Sequence, residues 1–161
     1  MISTRLAVPE DAPALVGVLN PIIKRGGTTA YEDEISVEAM AAMLTGLIQP
    51  SFCHVAEDAG RILGYQTCKL VDYLPPNIGD MASFVAVEAV GRGIGRALAT
   101  ATFAQAKVNG FTELNATIRA DNKSGLTYYN SIGFVDHSVN PAKPLKYGPP
   151  VDRISKRLSL P

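Results

Sequence analysis

Apolar and polar residues alternate over short runs and then shift to helical spacing several times along the chain. ISTRLA (2–7) predicts a short strand, and Pro9, Glu10 and Asp11 then suit a first helical turn, where the dipole favours acidic groups. APALVGVLNPII (12–23) continues an apolar helical face, in which Pro21 predicts a kink or division. KRGGTTAYEDE (24–34) reads as a loop. Ser36 is placed to cap a second helix with Ala39, Met40, Met43 and Leu44 on its inner face, ending by Pro50. Two β-capable runs around the polar EDAGR turn (57–61) predict a hairpin over 51–73. After the LPPNIG loop (74–79), DMASFVAVEA (80–89) predicts a strand and residues 92–108 a helix closed near Gly110. TELNATI (112–118) predicts a strand, and NKSGLTYYNSIG (122–133) a short helix between Asn122 and Gly133. FVDHSV (134–139) and VDRISKRLSL (151–160) read as strands flanking a proline-bearing loop at 140–150.

The resulting order, β-α-α-β-β-β-α-β-α-β-β, mixes hairpins with helical crossovers and implies an α/β fold, a mixed sheet covered by helices. With 161 residues, 47% of them hydrophobic, one domain can build its core without a metal or disulfide staple. Cys53 and Cys68 form no framework and suit a reducing, cytoplasmic setting as small buried apolar residues. Fifteen basic and fifteen acidic side chains cancel, with no basic stripe, which argues against a nucleic-acid partner. No run reaches the roughly 18 apolar residues of a membrane span, and no cluster of metal ligands is evident.

VEAVGRGIGRALA (87–99) changes the picture, because Gly91, Gly93 and Gly95 stand between a strand-like and a helix-like run. Such a turn presents free backbone N–H groups at a helix start, where an anion is favoured and missing side chains permit close approach. Arg92 and Arg96 add positive charge. A P-loop needs Gly-Lys-Ser/Thr, whereas Arg96 and Ala97 follow Gly95. A dinucleotide fingerprint needs a glycine where Arg96 stands and usually opens the first βαβ unit.

Together with NKSGLTYYNSIGF (122–134), the stretch resembles the GNAT (GCN5-related N-acetyltransferase) superfamily, most strongly over residues 80–135. The resemblance implies a single-domain acyl-CoA N-acyltransferase fold over residues 1–161, a mixed twisted sheet flanked by helices, with 80–135 the core acetyl-CoA-binding segment. It implies acetyl-CoA as cofactor. The loop Val90, Gly91, Arg92, Gly93, Ile94, Gly95 and Arg96 would hold the pyrophosphate, Val85 and Val87 the pantetheine arm, and Asn122 would lie near that arm or the neighbouring phosphate. Tyr129 would stand near the thioester sulfur and protonate the departing thiolate. The family loop commonly opens with Arg or Gln at the position of Val90, so here one side-chain contact is lost while the backbone donors remain.

The implied reaction is direct attack of a neutral primary amine on acetyl-CoA in a ternary complex, without metal or covalent intermediate. It needs proton removal, stabilisation of carbonyl-oxygen charge and protonation of the thiolate. Asp80, Glu88, His54, His137 and water are the candidates for removing the proton, with both histidines expected to be structural, and the Tyr31–Glu34 acidic loop could attract an ammonium group. Tyr31, Glu32 and Asp80 are the candidate acceptor-binding residues. LNPIIKRGGTTAYEDE (19–34) resembles the front segment of phosphinothricin-acetyltransferase-like enzymes, which implies a small amine such as an amino acid. A protein N-terminus, a polyamine, a non-catalytic acyl-CoA-binding regulator and a purely structural domain are the alternatives. The family also implies a homodimer.

Overall fold

A computed structural model describes residues 1–161. The elements follow the expected order: β1 (Ser3–Leu6), α1 (Ala12–Arg25), α2 (Val37–Thr45), β2 (Phe52–Asp58), β3 (Arg61–Lys69), β4 (Ile78–Val85), α3 (Ile94–Val108), β5 (Glu113–Arg119), α4 (Lys123–Ser131), β6 (Val135–Lys143) and β7 (Val151–Ser159). The strands form one seven-stranded sheet in the order β1-β2-β3-β4-β5-β7-β6. Every neighbouring pair is antiparallel except β4 and β5, which α3 joins as a parallel crossover.

Helical spacing brings Leu15, Val18, Leu19 and Ile23 of α1 to one face, and Met40 and Leu44 of α2 join them over Val55 and Tyr65 of the sheet. A second core gathers Cys68, Met81, Leu114, Ala116 and Ile118 against Ala106, Tyr129 and Phe134. Each wholly buried leucine, such as Leu15, Leu19, Leu98 or Leu114, contributes about 1.5–3 kcal/mol through removal from water. The inner face of α2 is Met40 and Leu44 with Met43 partly buried beside them, whereas Ala39, expected there, is exposed on the first turn, where its amide donates at 3.1 Å to the capping Ser36 hydroxyl.

Four boundaries depart from expectation. Pro21 does not divide α1, which runs unbroken from Ala12 to Arg25; Gly17, whose carbonyl loses its N–H partner, lies exposed and water can serve it. β4 starts at Ile78 and stops at Val85, and Val87–Ala89 forms a 3-10 turn instead of extending the strand. α3 begins at Ile94 instead of Arg92, since Gly93 at its N-cap is left-handed with φ +84°. β6 runs through Asn140–Lys143, expected as loop; as the sheet's edge it tolerates Pro141 and two register irregularities.

Candidate functional site

The main cleft originates in the sheet itself. β4 pairs with β5 only over Ile78–Asp80, matched to Glu113–Asn115. Beyond that point β4 stays on β3 as far as Val85, while β5 stays on β7 as far as Arg119. The strands therefore part, and the β4 edge from Met81 to Val85 that faces the gap has no strand partner. The gap opens into a cleft of about 730 Å³ lined by Ser83, Phe84, Val85 and Val87, by the 89–96 turn, by the start of α4, and by Arg25, Thr28 and Thr29 at the end of α1. An extended ligand carrying amides can complete such an edge.

The glycine turn closes one end of this cleft. Gly91 and Gly93 have φ +86° and +84°, which side-chain-bearing residues rarely adopt. Gly95 serves a different purpose. A Cβ there would stand 2.7 Å from Cε1 of Tyr128, so its bareness admits a tyrosine ring rather than a ligand. The Arg92 amide donates to Ala89 O and the Ala97 amide to Gly93 O, while the amides of Gly93, Ile94, Gly95 and Arg96 have no backbone acceptor. Those four donors, on the positive end of a 15-residue helix, fit an anionic group. Val90, Gly91, Gly93, Ile94, Gly95 and Arg96 all line the cleft, whereas Arg92 does not: its guanidinium pairs with Asp58 at 2.7 Å.

Asn122 also lines the cleft, at the N-cap of α4. Its Oδ1 accepts from the Gly125 amide at 2.9 Å, and its Nδ2 donates to Thr28 O at 2.8 Å. Arg119 donates to Thr29 O at 3.3 Å and pairs with Asp121. The loop after α1 is thus tied to β5 and the start of α4.

The two tyrosines of α4 take different positions. Tyr128 lines the cleft, and its hydroxyl donates to Gly95 O at 2.7 Å. Tyr129 is buried behind it, and its hydroxyl lies 2.8 Å from Oγ of Ser83, a residue of the cleft lining. Gln66 Nε2 donates to Ser83 Oγ at 2.8 Å and to the Tyr128 hydroxyl at 3.0 Å. Burial pushes the ionisation of both phenols up, so each holds its proton at neutral pH.

Tyr31, Glu32 and Asp80 are outside the cleft wall. The Tyr31 ring stands 6.2 Å from that of Phe84, a wall residue stacked at 4.8 Å on Tyr65. Glu32 accepts from the amides of Lys146 and Tyr147, both at 2.9 Å; these lower its ionisation, Lys146 most. Asp33 accepts from Lys146 Nζ and the Tyr147 hydroxyl, which lower its ionisation in that order. Asp80 sits at the closed end of the strand gap and accepts from Tyr73 at 2.8 Å and Asn115 at 2.9 Å. Of the other sequence candidates, Glu88 pairs with Arg61, His54 is buried with Nδ1 unpartnered, and His137 is exposed on β6. Burial raises the Cys53 and Cys68 thiols to about 12, consistent with inert core residues.

Sequence reasoning missed Ser83, Gln66, Tyr128 and Arg25. Ser83 and Gln66 are polar positions within strands, and only register places them opposite one another. Arg25 carried a readable signal, a basic residue at a helix end before two glycines. A second hollow, about 500 Å³, contains Arg5, Asp11, Glu57, Arg61 and Glu88, but these charges pair among themselves.

Residues 22–134 match the model of the Acetyltransferase (GNAT) family. A search of curated proteins finds no match. Among solved structures, a GCN5-related N-acetyltransferase from Kribbella flavida is 26% identical with TM-score 0.86, covering 99% of this chain and 98% of that one. An N-acetyltransferase from Staphylococcus aureus Mu50 is 21% identical with TM-score 0.91, covering 100% and 99%. A phosphinothricin acetyltransferase from Sinorhizobium meliloti, solved with acetyl-CoA, is 23% identical with TM-score 0.86, covering 99% and 88%.

Proposed function

The chain belongs to the GNAT family of acetyltransferases, and from that premise we propose that it transfers the acetyl group of acetyl-CoA to a primary amine of a small molecule such as an amino acid, by direct attack in a ternary complex. One observation carries the reading: the unpaired β4 edge and the amide-lined start of α3 meet on the same cleft. Acetyl-CoA supplies the acetyl thioester. The amides of residues 93–96, with Val90, Gly91 and the Arg96 side chain, hold the pyrophosphate. Val85 and Val87 hold the pantetheine arm, beside Asn122. Arg92 is left out of this set, since Asp58 and Ala89 O take its guanidinium and its amide.

Tyr129, protonated by virtue of its burial, is the source of the proton that reaches the departing sulfur, with Ser83 at its hydroxyl. Tyr31, Glu32 and Asp80 form the acceptor side. In support, Tyr31 reaches the wall residue Phe84, and Asp80 stands where β4 and β5 part. An ammonium group approaching these carboxylates must lose a proton, to Asp80 or to water, before it can attack. The phosphinothricin-acetyltransferase likeness supports a small amine. We place the catalytic unit in one domain over residues 1–161, with 80–135 carrying the cofactor contacts. No helix is long and apolar enough to cross a membrane, and two free, buried cysteines suit the cytoplasm. The uncovered β6 edge, with Val135 and Val139 exposed, favours a homodimer.

Calorimetry with acetyl-CoA, followed by thiol-release assays over the L-amino acids and their methyl esters, polyamines and peptides, tests the reading. Saturable binding and turnover with an amino acid are expected. Turnover confined to peptides overturns the small-molecule assignment, and no binding overturns the site.

A further inference from the structure

The hydrogen bonds around Gln66 form a set whose hydrogens can be counted. Gln66 is wholly buried on β3, with Ser83 of β4 directly opposite in the register. The Tyr128 hydroxyl has one hydrogen, and Gly95 O, an acceptor only, takes it at 2.7 Å. Towards Gln66, at 3.0 Å, Tyr128 can then only accept. The Gln66 atom there must be the amide nitrogen, and its other hydrogen goes to Ser83 Oγ at 2.8 Å. Both amide hydrogens are therefore committed. Ser83 and Tyr129 own two hydroxyl hydrogens but share a single 2.8 Å contact, so one hydrogen is left over. Tyr129 is buried at 6% exposure, while Ser83 lines the cleft. The arrangement that uses the contact and leaves no buried donor idle has Tyr129 donating to Ser83, which leaves the Ser83 hydrogen, on a residue that lines the cleft beside the Tyr128 hydroxyl, uncommitted.

We propose that Ser83, not Tyr129, delivers the proton to the leaving sulfur, that Tyr129 resupplies Ser83, and that Gln66 is the positioning residue that fixes this direction by occupying Ser83 from the far side. The inference rests on the acetyl-transfer reading above. In the step, the C–N bond forms and the C–S bond breaks with its electron pair going to sulfur. Sulfur takes the Ser83 hydroxyl proton as the Tyr129 proton moves to Ser83 Oγ. The proton given up by the attacking amine returns through solvent to Tyr129. Amine and thioester thus give amide and thiol with no further reactant. Because burial disfavours a free tyrosinate, the return of the amine proton to Tyr129 is coupled to the two transfers.

The experiment compares Ser83→Ala, Ser83→Thr and Gln66→Met, using thiol release from acetyl-CoA with the amino acid or ester that turns over fastest in the acceptor panel. Ser83→Ala is expected to lower kcat by about 10²-fold, with KM for acetyl-CoA within about threefold. Ser83→Thr, which restores a hydroxyl, is expected to recover most of that loss. Gln66→Met is expected to lower kcat about tenfold alone and not further in the Ser83→Ala background, since both act through one proton. A readout independent of turnover uses protein labelled with ¹³C at the tyrosine ζ carbons and free of ligand. Ser83→Ala is expected to move the Tyr129 signal, and Gln66→Met those of Tyr128 and Tyr129, while Tyr147 stays in place. A Ser83→Ala enzyme with wild-type kcat, losses that multiply in the double variant, or an unmoved Tyr129 signal each overturn the relay while leaving acetyl transfer intact. Absence of thiol release by the wild-type protein across the panel overturns the parent reading and the relay with it. If Gln66→Met fails to fold, the Ser83 pair and its spectra decide alone.

Discussion

The two ends of the site differ in what their polar groups are doing. At the cofactor end, the amides of residues 93–96 and the β4 edge from Met81 to Val85 lack partners within the chain. At the end proposed for the acceptor, Glu32 and Asp33 are held by Lys146 and Tyr147, and Asp80 by Tyr73 and Asn115. Unpartnered donors on rigid elements are ready for a fixed, shared ligand. Carboxylates already bonded to a neighbouring loop shape a rim more than they bind charge. On the proposed reading, the donor molecule meets backbone and the acceptor meets side chains on strand β4 and on two loops that clasp one another.

The comparison can be broken at several points. The largest effect is expected from Tyr129→Phe, which should lower kcat by about 10²-fold with little change in acetyl-CoA affinity; steady-state kinetics with calorimetry decide, and an unchanged kcat removes Tyr129 from the chemistry. Gly95→Ala should weaken acetyl-CoA about tenfold, because a Cβ 2.7 Å from the Tyr128 ring must displace it. Gly93→Ala, with no atom within 4 Å of the added Cβ but φ +84°, should cost about 1–2 kcal/mol of stability, visible by chemical denaturation. If the two variants behave alike, the separate roles given to these glycines fail. Asn122→Ala should cost about 1 kcal/mol through loss of the helix cap, or roughly 2–4 °C in Tm for a chain of this size. The smallest change belongs to the acceptor clasp. Glu32→Gln should raise the acceptor KM a few-fold and leave acetyl-CoA binding unaltered, which a substrate titration checks. Because folding lowers the ionisation of Glu32 and Asp33, their contribution is complete above the ordinary carboxylate range of about 4 and is lost as pH falls through their folded values. Pepsin cleavage within residues 144–150 should accordingly rise only in that acid window.

Element order, the helix caps at Ser36 and Asn122 and the glycine turn before α3 were all legible in the sequence, because each is a local pattern. The parting of β4 from β5 was not, since it depends on pairing between strands separated by a helix. The same holds for Ser83 and Gln66, two polar residues whose meaning comes from lying opposite each other beneath α4. Gly95 is instructive in another way: its spacing with Gly91 and Gly93 suggested a single purpose for all three, but its neighbour is a tyrosine 33 residues later. Pro21 and Pro141 show local rules yielding to exposure, on a solvent-facing helical turn and on a sheet edge.

The separation of β4 and β5 leaves the sheet as two leaves joined over three residue pairs. A bound donor molecule lying along the β4 edge would act as the missing rung between them, so occupancy and rigidity rise together. At a ligand concentration 100-fold above its dissociation constant, the folded state gains about 2.7 kcal/mol. Resistance to heat then becomes a gauge of how much donor the surroundings contain, and the starved protein is the softer one.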